Sequence, residues 1–239
     1  MNVVIMARWD LELHRLIFRL DYPKAYSIFA AWGQILQRLD SAGIWTQLGE
    51  DTSRSIVAIG EDKSKNRVHV LNVRLNDTDG VLEGHPIRSY REFDDEFRRV
   101  NEILQLLNIQ QYTRLGVRFY FLEPQKEFEA ARKLVADQLR NEYLDMFKDE
   151  LSDIGIVTVH GEGDEKWRFS VGPLGRAEYK NWFAAPDEVK CDCALIFDID
   201  CYVDSYKDSK LDLRKLVALY YDKALSQAER VLGFLKPKE

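Results

Sequence analysis

Leu16-Ile17-Phe18-Arg19-Leu20-Asp21-Tyr22-Pro23 and, about 100 residues on, Val117-Arg118-Phe119-Tyr120-Phe121-Leu122-Glu123-Pro124 decide how this chain reads. Each is strand-like and stops at a proline whose missing N–H suits the first turn of a helix. Helical sequence follows both. Farther on, Ile56-Val57-Ala58-Ile59-Gly60-Glu61 is echoed by Ile156-Val157-Thr158-Val159-His160-Gly161-Glu162. Two copies are fewer than a stacked repeat array needs, so the pattern predicts an α+β protein of two pseudo-duplicated strand-helix-hairpin-helix halves, 1–110 and 111–239. They form two fused half-domains or one continuous pseudo-symmetric domain.

Working outward from the first strand, Ala25, Phe29, Trp32, Leu36 and Leu39 recur at helical spacing, and Ser41-Ala42-Gly43 ends that helix. Strands are expected at 55–60 and 67–75, joined by the polar turn 61–66. The segment 76–89, rich in Asn, Asp, Gly and Pro, reads as loop. Phe93, Phe97, Val100, Ile103, Leu104 and Leu107 form the stripe of a second helix. In the second half, Tyr112 to Leu122 is a strand, and Phe128, Ala131, Val135, Leu139, Tyr143 and Phe147 share one helix face. Trp167, Phe169 and Val171 alternate with Lys166, Arg168 and Ser170, as in a sheet with one covered face. Gly172-Pro173-Leu174-Gly175 is read as breaking this strand. Residues 190–203 form another strand, and Ser209 with Asp212 makes a capping box for a last helix carrying Leu213, Leu216, Val217, Tyr220, Ala224, Ala228, Val231 and Leu235. An edge strand is expected at 2–6. The sum is a largely antiparallel sheet with four helices on one face.

The chain has 239 residues, 46% of them hydrophobic and 12% aromatic, enough to pack a core. A net charge of −6, with both signs interspersed, supplies no basic stripe, so there is no strong nucleic-acid signal. Val3 to Ala7 is too short for the core of a signal peptide, and no run approaches a membrane span, which points away from membranes and towards the cytoplasm. The three cysteines, Cys191, Cys193 and Cys201, share one parity of a strand and read as core residues in a reducing compartment.

Strand parity sends Arg19, Arg118, Tyr120, Lys166, Arg168, Asp198, Asp200 and Tyr202 to the uncovered sheet face. Asp198 and Asp200, two apart on one side, have the pattern of carboxylates that hold Mg²⁺ or Mn²⁺, and equally of carboxylates that pair across strands with Arg19, Arg118 or Arg168. Pro186-Asp187-Glu188-Val189-Lys190 has the residue types of a metal-dependent nuclease. It is contiguous, however, where that chemistry needs carboxylates converging from two strands. His14, His69, His85 and His160 show no ligand spacing. Tyr179, Trp182 and Phe183 lie in the segment 175–189, either as an aromatic anchor for a partner or as a lid folded over the core. No phosphate-binding loop, dinucleotide fingerprint or nucleophile elbow occurs, and no cofactor is expected.

Arg114-Leu115-Gly116-Val117-Arg118-Phe119-Tyr120, then Leu195-Ile196-Phe197-Asp198-Ile199-Asp200 and the helix from Leu213 to Leu235, resemble a sporadically distributed bacterial family of uncharacterised proteins. That family is marked by a central G-[LV]-R-[YF] strand and a late D-I-D strand with a closing helix. The match covers mainly the second half, and Phe121-Leu122-Glu123 departs from the asparagine expected there. The resemblance implies the fold and leaves the reaction open.

Two function classes follow. The first is a non-enzymatic protein-interaction or regulatory module, associated with bacterial defence or toxin control, with a protein partner or a second copy docked on Arg19, Arg118, Tyr120, Arg168, Tyr179, Trp182, Phe183 and Tyr202. The alternative is a metal-dependent hydrolase or nuclease centred on Asp198 and Asp200, with Glu188 or Glu162 as further ligands and Lys190 or Arg118 stabilising charge.

Overall fold

In the computed structural model, the described residues are 11–51, 55–138, 154–183, 193–206 and 211–236. The strands β1 (Glu12–Asp21), β2 (Gln47–Asp51), β3 (Ser55–Asp62), β4 (Arg67–Val73), β5 (Asp77–Ile87), β6 (Tyr112–Gln125), β7 (Ile156–Glu162), β8 (Glu165–Gly175) and β9 (Cys193–Tyr206) make a single sheet. Its order is β2-β3-β4-β5-β1-β6-β9-β8-β7, and every neighbouring pair is antiparallel. The long strands β1 and β6, which carry the two diagnostic stretches, lie side by side at the centre, with Phe18 opposite Val117.

One face is covered by α1 (Ser27–Ser41), α2 (Asp94–Leu107), α3 (Phe128–Gln138) and α5 (Leu213–Leu235). Their buried residues join Leu16, Phe18, Leu20, Leu115, Val117, Phe119, Phe121, Phe197 and Ile199 in one core. Alternation places every second strand residue on this side. The fully buried phenylalanines Phe18, Phe93, Phe97, Phe119, Phe121 and Phe197 dominate it, each stabilising by about 1.5–3 kcal/mol through burial. All six expected positions of α2 are buried. Asp212 caps α5 by accepting from the N–H groups of Arg214 and Lys215, and Asn101 of α2 accepts from Leu213 N–H at 2.9 Å. The cap is thus Asp212 itself; Ser209 lies outside the described residues, as do 2–6, Leu139, Tyr143, Phe147 and 184–192.

Several expectations are overturned. Residues 77–87 are not loop but β5, inserted between β4 and β1. Its Asp and Gly residues obscure the strand in the sequence, yet Gly80 is there because a Cβ would stand 2.3 Å from Cζ of Phe18. Strand β2 was unforeseen. In α1 the buried stripe is Ile28, Ala31, Ile35 and Leu39, while Phe29 is exposed. This helix is apolar on two faces, and tertiary packing selects one. Strand β8 runs through Pro173, which faces Leu195 of β9; β7 ends opposite Val171, so on that side Pro173 lies beyond the ladder. Finally, the segment after Gly175 contains the helix α4 (Arg176–Trp182), which lies against the opposite sheet face from the other four.

Candidate interaction surface

The uncovered face is built by the other parity of every strand. Register strings one row straight across it: Gln47, Ile59, Val70, Val81, Ile17, Arg118, Asp200, Arg168 and Val159. The row changes character at the centre. On the first-half side Ile17, Ile59, Val70 and Val81 are joined by Val57 and Val68, all half-buried except Ile59, which is 37% exposed, in an apolar patch of β-branched side chains. Such residues suit a strand, so the same propensity that forms β3, β4 and β5 leaves the patch facing solvent.

The second-half side is ionic. Arg118 donates from Nε and Nη2 to the two carboxylate oxygens of Asp198 at 2.6 and 2.5 Å, a bidentate pair. Arg114 Nη2 stands 3.9 Å from Asp200, and its guanidinium lies 4.2 Å from the Tyr202 ring centroid. Lys166 donates to Asp204 at 2.6 Å. Arg19 donates to Asp21 at 2.7 Å. Arg168 is exposed and stands opposite Asp200 in register. The Asp198 hydrogen bond holds the Arg118 guanidinium protonated beyond its usual range. Burial pushes the Asp200 carboxyl up, against the pull of Arg118 and Arg114. Burial also pushes the Tyr120 phenol up, so it remains a hydroxyl.

One end of this face is roofed by α4. Tyr179 and Phe183 are buried with Tyr120, Leu122, Leu174, Ala194 and Ile196 in a second cluster. Arg15 fastens the roof: its guanidinium pairs with Glu83, donates to the Trp182 carbonyl, and lies 4.8 Å from the Phe183 centroid and 5.5 Å from that of Tyr120. His14 Nδ1 is 3.1 Å from the Tyr179 hydroxyl. Tyr179 and Phe183 therefore form a lid, over the open sheet face rather than the core, whereas Trp182 remains 44% exposed with its ring edge-on to Tyr120.

The structure brings Arg19, Arg118, Tyr120, Asp198, Asp200, Tyr202, Arg168, Tyr179, Trp182 and Phe183 to this one face. Arg15, Glu83 and the apolar patch were not among the residues expected there. A signal for Arg15 was present: apolar residues fall on Leu11 and Leu13, then on Leu16, Phe18 and Leu20, a phase flip that the structure realises as a bulge between Leu13 and Arg15. Both oxygens of Asp198 are committed to Arg118, Glu188 and Lys190 lie outside the described residues, as does the side chain of Glu162, and no group of three His, Cys, Asp or Glu residues disposed for a metal occurs among the described residues. Cys193 and Cys201 are buried, with the Cys193 thiol donating to the Gln125 carbonyl at 3.2 Å, and burial raises the Cys201 thiol. Among the described residues no helix is long and apolar enough to cross a membrane.

Fold and face together define a mixed α/β protein with one large antiparallel sheet, helix-covered on one side and presenting an apolar and an ionic half on the other. No family model matches the chain, and no curated protein matches it.

Proposed function

We propose that the protein is a non-enzymatic interaction module that docks a protein partner on the open face of its sheet. The observation that carries this reading is the apolar patch of Ile17, Val57, Ile59, Val68, Val70 and Val81 beside a ladder of ion pairs. An exposed apolar patch with a polar border is the pattern of a binding surface. The rim is set by Arg118, Arg168, Tyr202 and Arg19, with Trp182 as an exposed aromatic at the edge of the roof, whereas Tyr120, expected on this surface, is buried beneath α4. We also read residues 1–110 and 111–239 as duplicated halves. Supporting this, the sheet runs outward from β1 as β5, β4, β3 and from β6 as β9, β8, β7, with a helix after the first strand and another after the last in each half. A regulatory role in bacterial defence or toxin control, in the cytoplasm, goes with this reading.

The test is affinity capture from lysate of the native host with the wild-type protein and with a Val70→Lys/Val81→Lys variant. A single stoichiometric partner retained by the wild type and lost from the variant is expected. Retention by both, or recovery of the bait alone, overturns the assignment. Trp182→Ala is expected to weaken capture while leaving stability within about 0.5 kcal/mol, as for a surface substitution. Use of Asp198 as a metal ligand would first require breaking its bidentate pair with Arg118.

A further inference from the structure

We propose that the outer edge of β7 is a second docking site, bordering the open face, which accepts an extended peptide strand from a partner protein. Among the described residues β7 is bonded on one side only and ends the sheet. Edge strands are ordinarily blunted by lysine, proline, bulges or shortness. The opposite edge, β2, is short and ends in Glu50 and Asp51. By contrast β7 has seven residues in unbroken register with β8, contains no lysine or proline, and exposes Val157 and Val159 at 56% and 67%. In the first half the corresponding inner strand, β3, is flanked by β2; beside β7 no described strand takes that place.

The helix-facing side of this edge supplies side-chain specificity. A groove of about 430 Å³ separates β7 from the end of α5, lined by Thr158, His160, Phe169, Gln227, Arg230, Val231 and Phe234. Phe234 is 60% exposed at its mouth. A strand added to β7 would turn alternate side chains into this groove, while its main chain bonds the edge of β7 that no described strand occupies. Apolar residues at i and i+2 match Phe169, Val231 and Phe234. An acidic residue matches Arg230, the fixed charge of the lining.

The probe is the fluorescein-labelled heptapeptide Thr-Ile-Thr-Phe-Thr-Glu-Thr, titrated into the full chain by fluorescence anisotropy, with sedimentation velocity on the protein alone. A saturable rise is expected, weakened at least tenfold by Arg230→Glu, by Phe234→Ala and by Val159→Lys. Circular dichroism checks that these exposed substitutions leave the fold intact. The same peptide N-methylated at alternate amides loses binding in one of the two methylation phases, because only one set of N–H groups faces β7. No saturable rise, or equal binding of both methylated peptides, overturns the proposal. A dimer abolished by Val159→Lys also overturns it, in favour of a second copy.

Discussion

Replacing Phe183 by Ala should release α4 from the open face without unfolding the sheet. The Phe183 ring is buried, its centroid 4.7 Å from that of Tyr179 and 6.1 Å from that of Tyr120, with the Arg15 guanidinium 4.8 Å away. Phenylalanine-to-alanine truncation at a packed site costs about 3–5 kcal/mol, a figure that already contains the ring contacts. Because this cluster lies on the far side of the sheet from the main core, the loss falls on the docking of a seven-residue helix. At 1.4 kcal/mol per factor of ten, local opening rises about 100-fold to several thousand-fold. Amide hydrogen exchange followed by mass spectrometry reads this directly: protection over 176–182 should collapse, while 115–121 and 195–201 hold. Equal loss of protection in those central strands would show that α4 is integral to the core. Unchanged exchange over 176–182 would show that Phe183 does not fasten it.

Three further outcomes follow from the same geometry. Gly80→Ala drives a Cβ into the fully buried Phe18 ring and should cost about 1–3 kcal/mol, a fall in Tm of about 2–12 °C by calorimetry; an unchanged Tm would mean that the ring is free to move. Asp200 has its folded pKa raised by burial, so its ionisation opposes folding: the penalty is absent below the ordinary carboxylate range and complete above the folded value. Asp200→Asn should therefore raise Tm at pH 7 and leave it unchanged near pH 3, and a lowered Tm at pH 7 would show that its arginine partners outweigh desolvation. Calorimetric titration with Mn²⁺ should give no heat that depends on Asp198 or Asp200; a saturable heat abolished by Asp198→Asn would break the ion-pair assignment.

Much of the architecture is written locally. The period-two stretches of β1 and β6, the 3.6-period stripes of α2 and α5, and the parity that sends Arg118, Asp198 and Asp200 to one face depend only on backbone geometry and the order of side chains. Other features depend on what lies across the fold. Strand β5 is unreadable alone because its Gly80 answers to Phe18, and α1 offers two apolar faces until the sheet takes one. Residue type also could not say that Arg118 would be spent on Asp198, that Arg15 would bolt α4 to the sheet, or that valines on three neighbouring strands would align into one patch. Alternation within a strand is a property of one segment, whereas register, lid placement and the pairing of charges are set by contacts between residues far apart in the chain, and only the tertiary structure decides them.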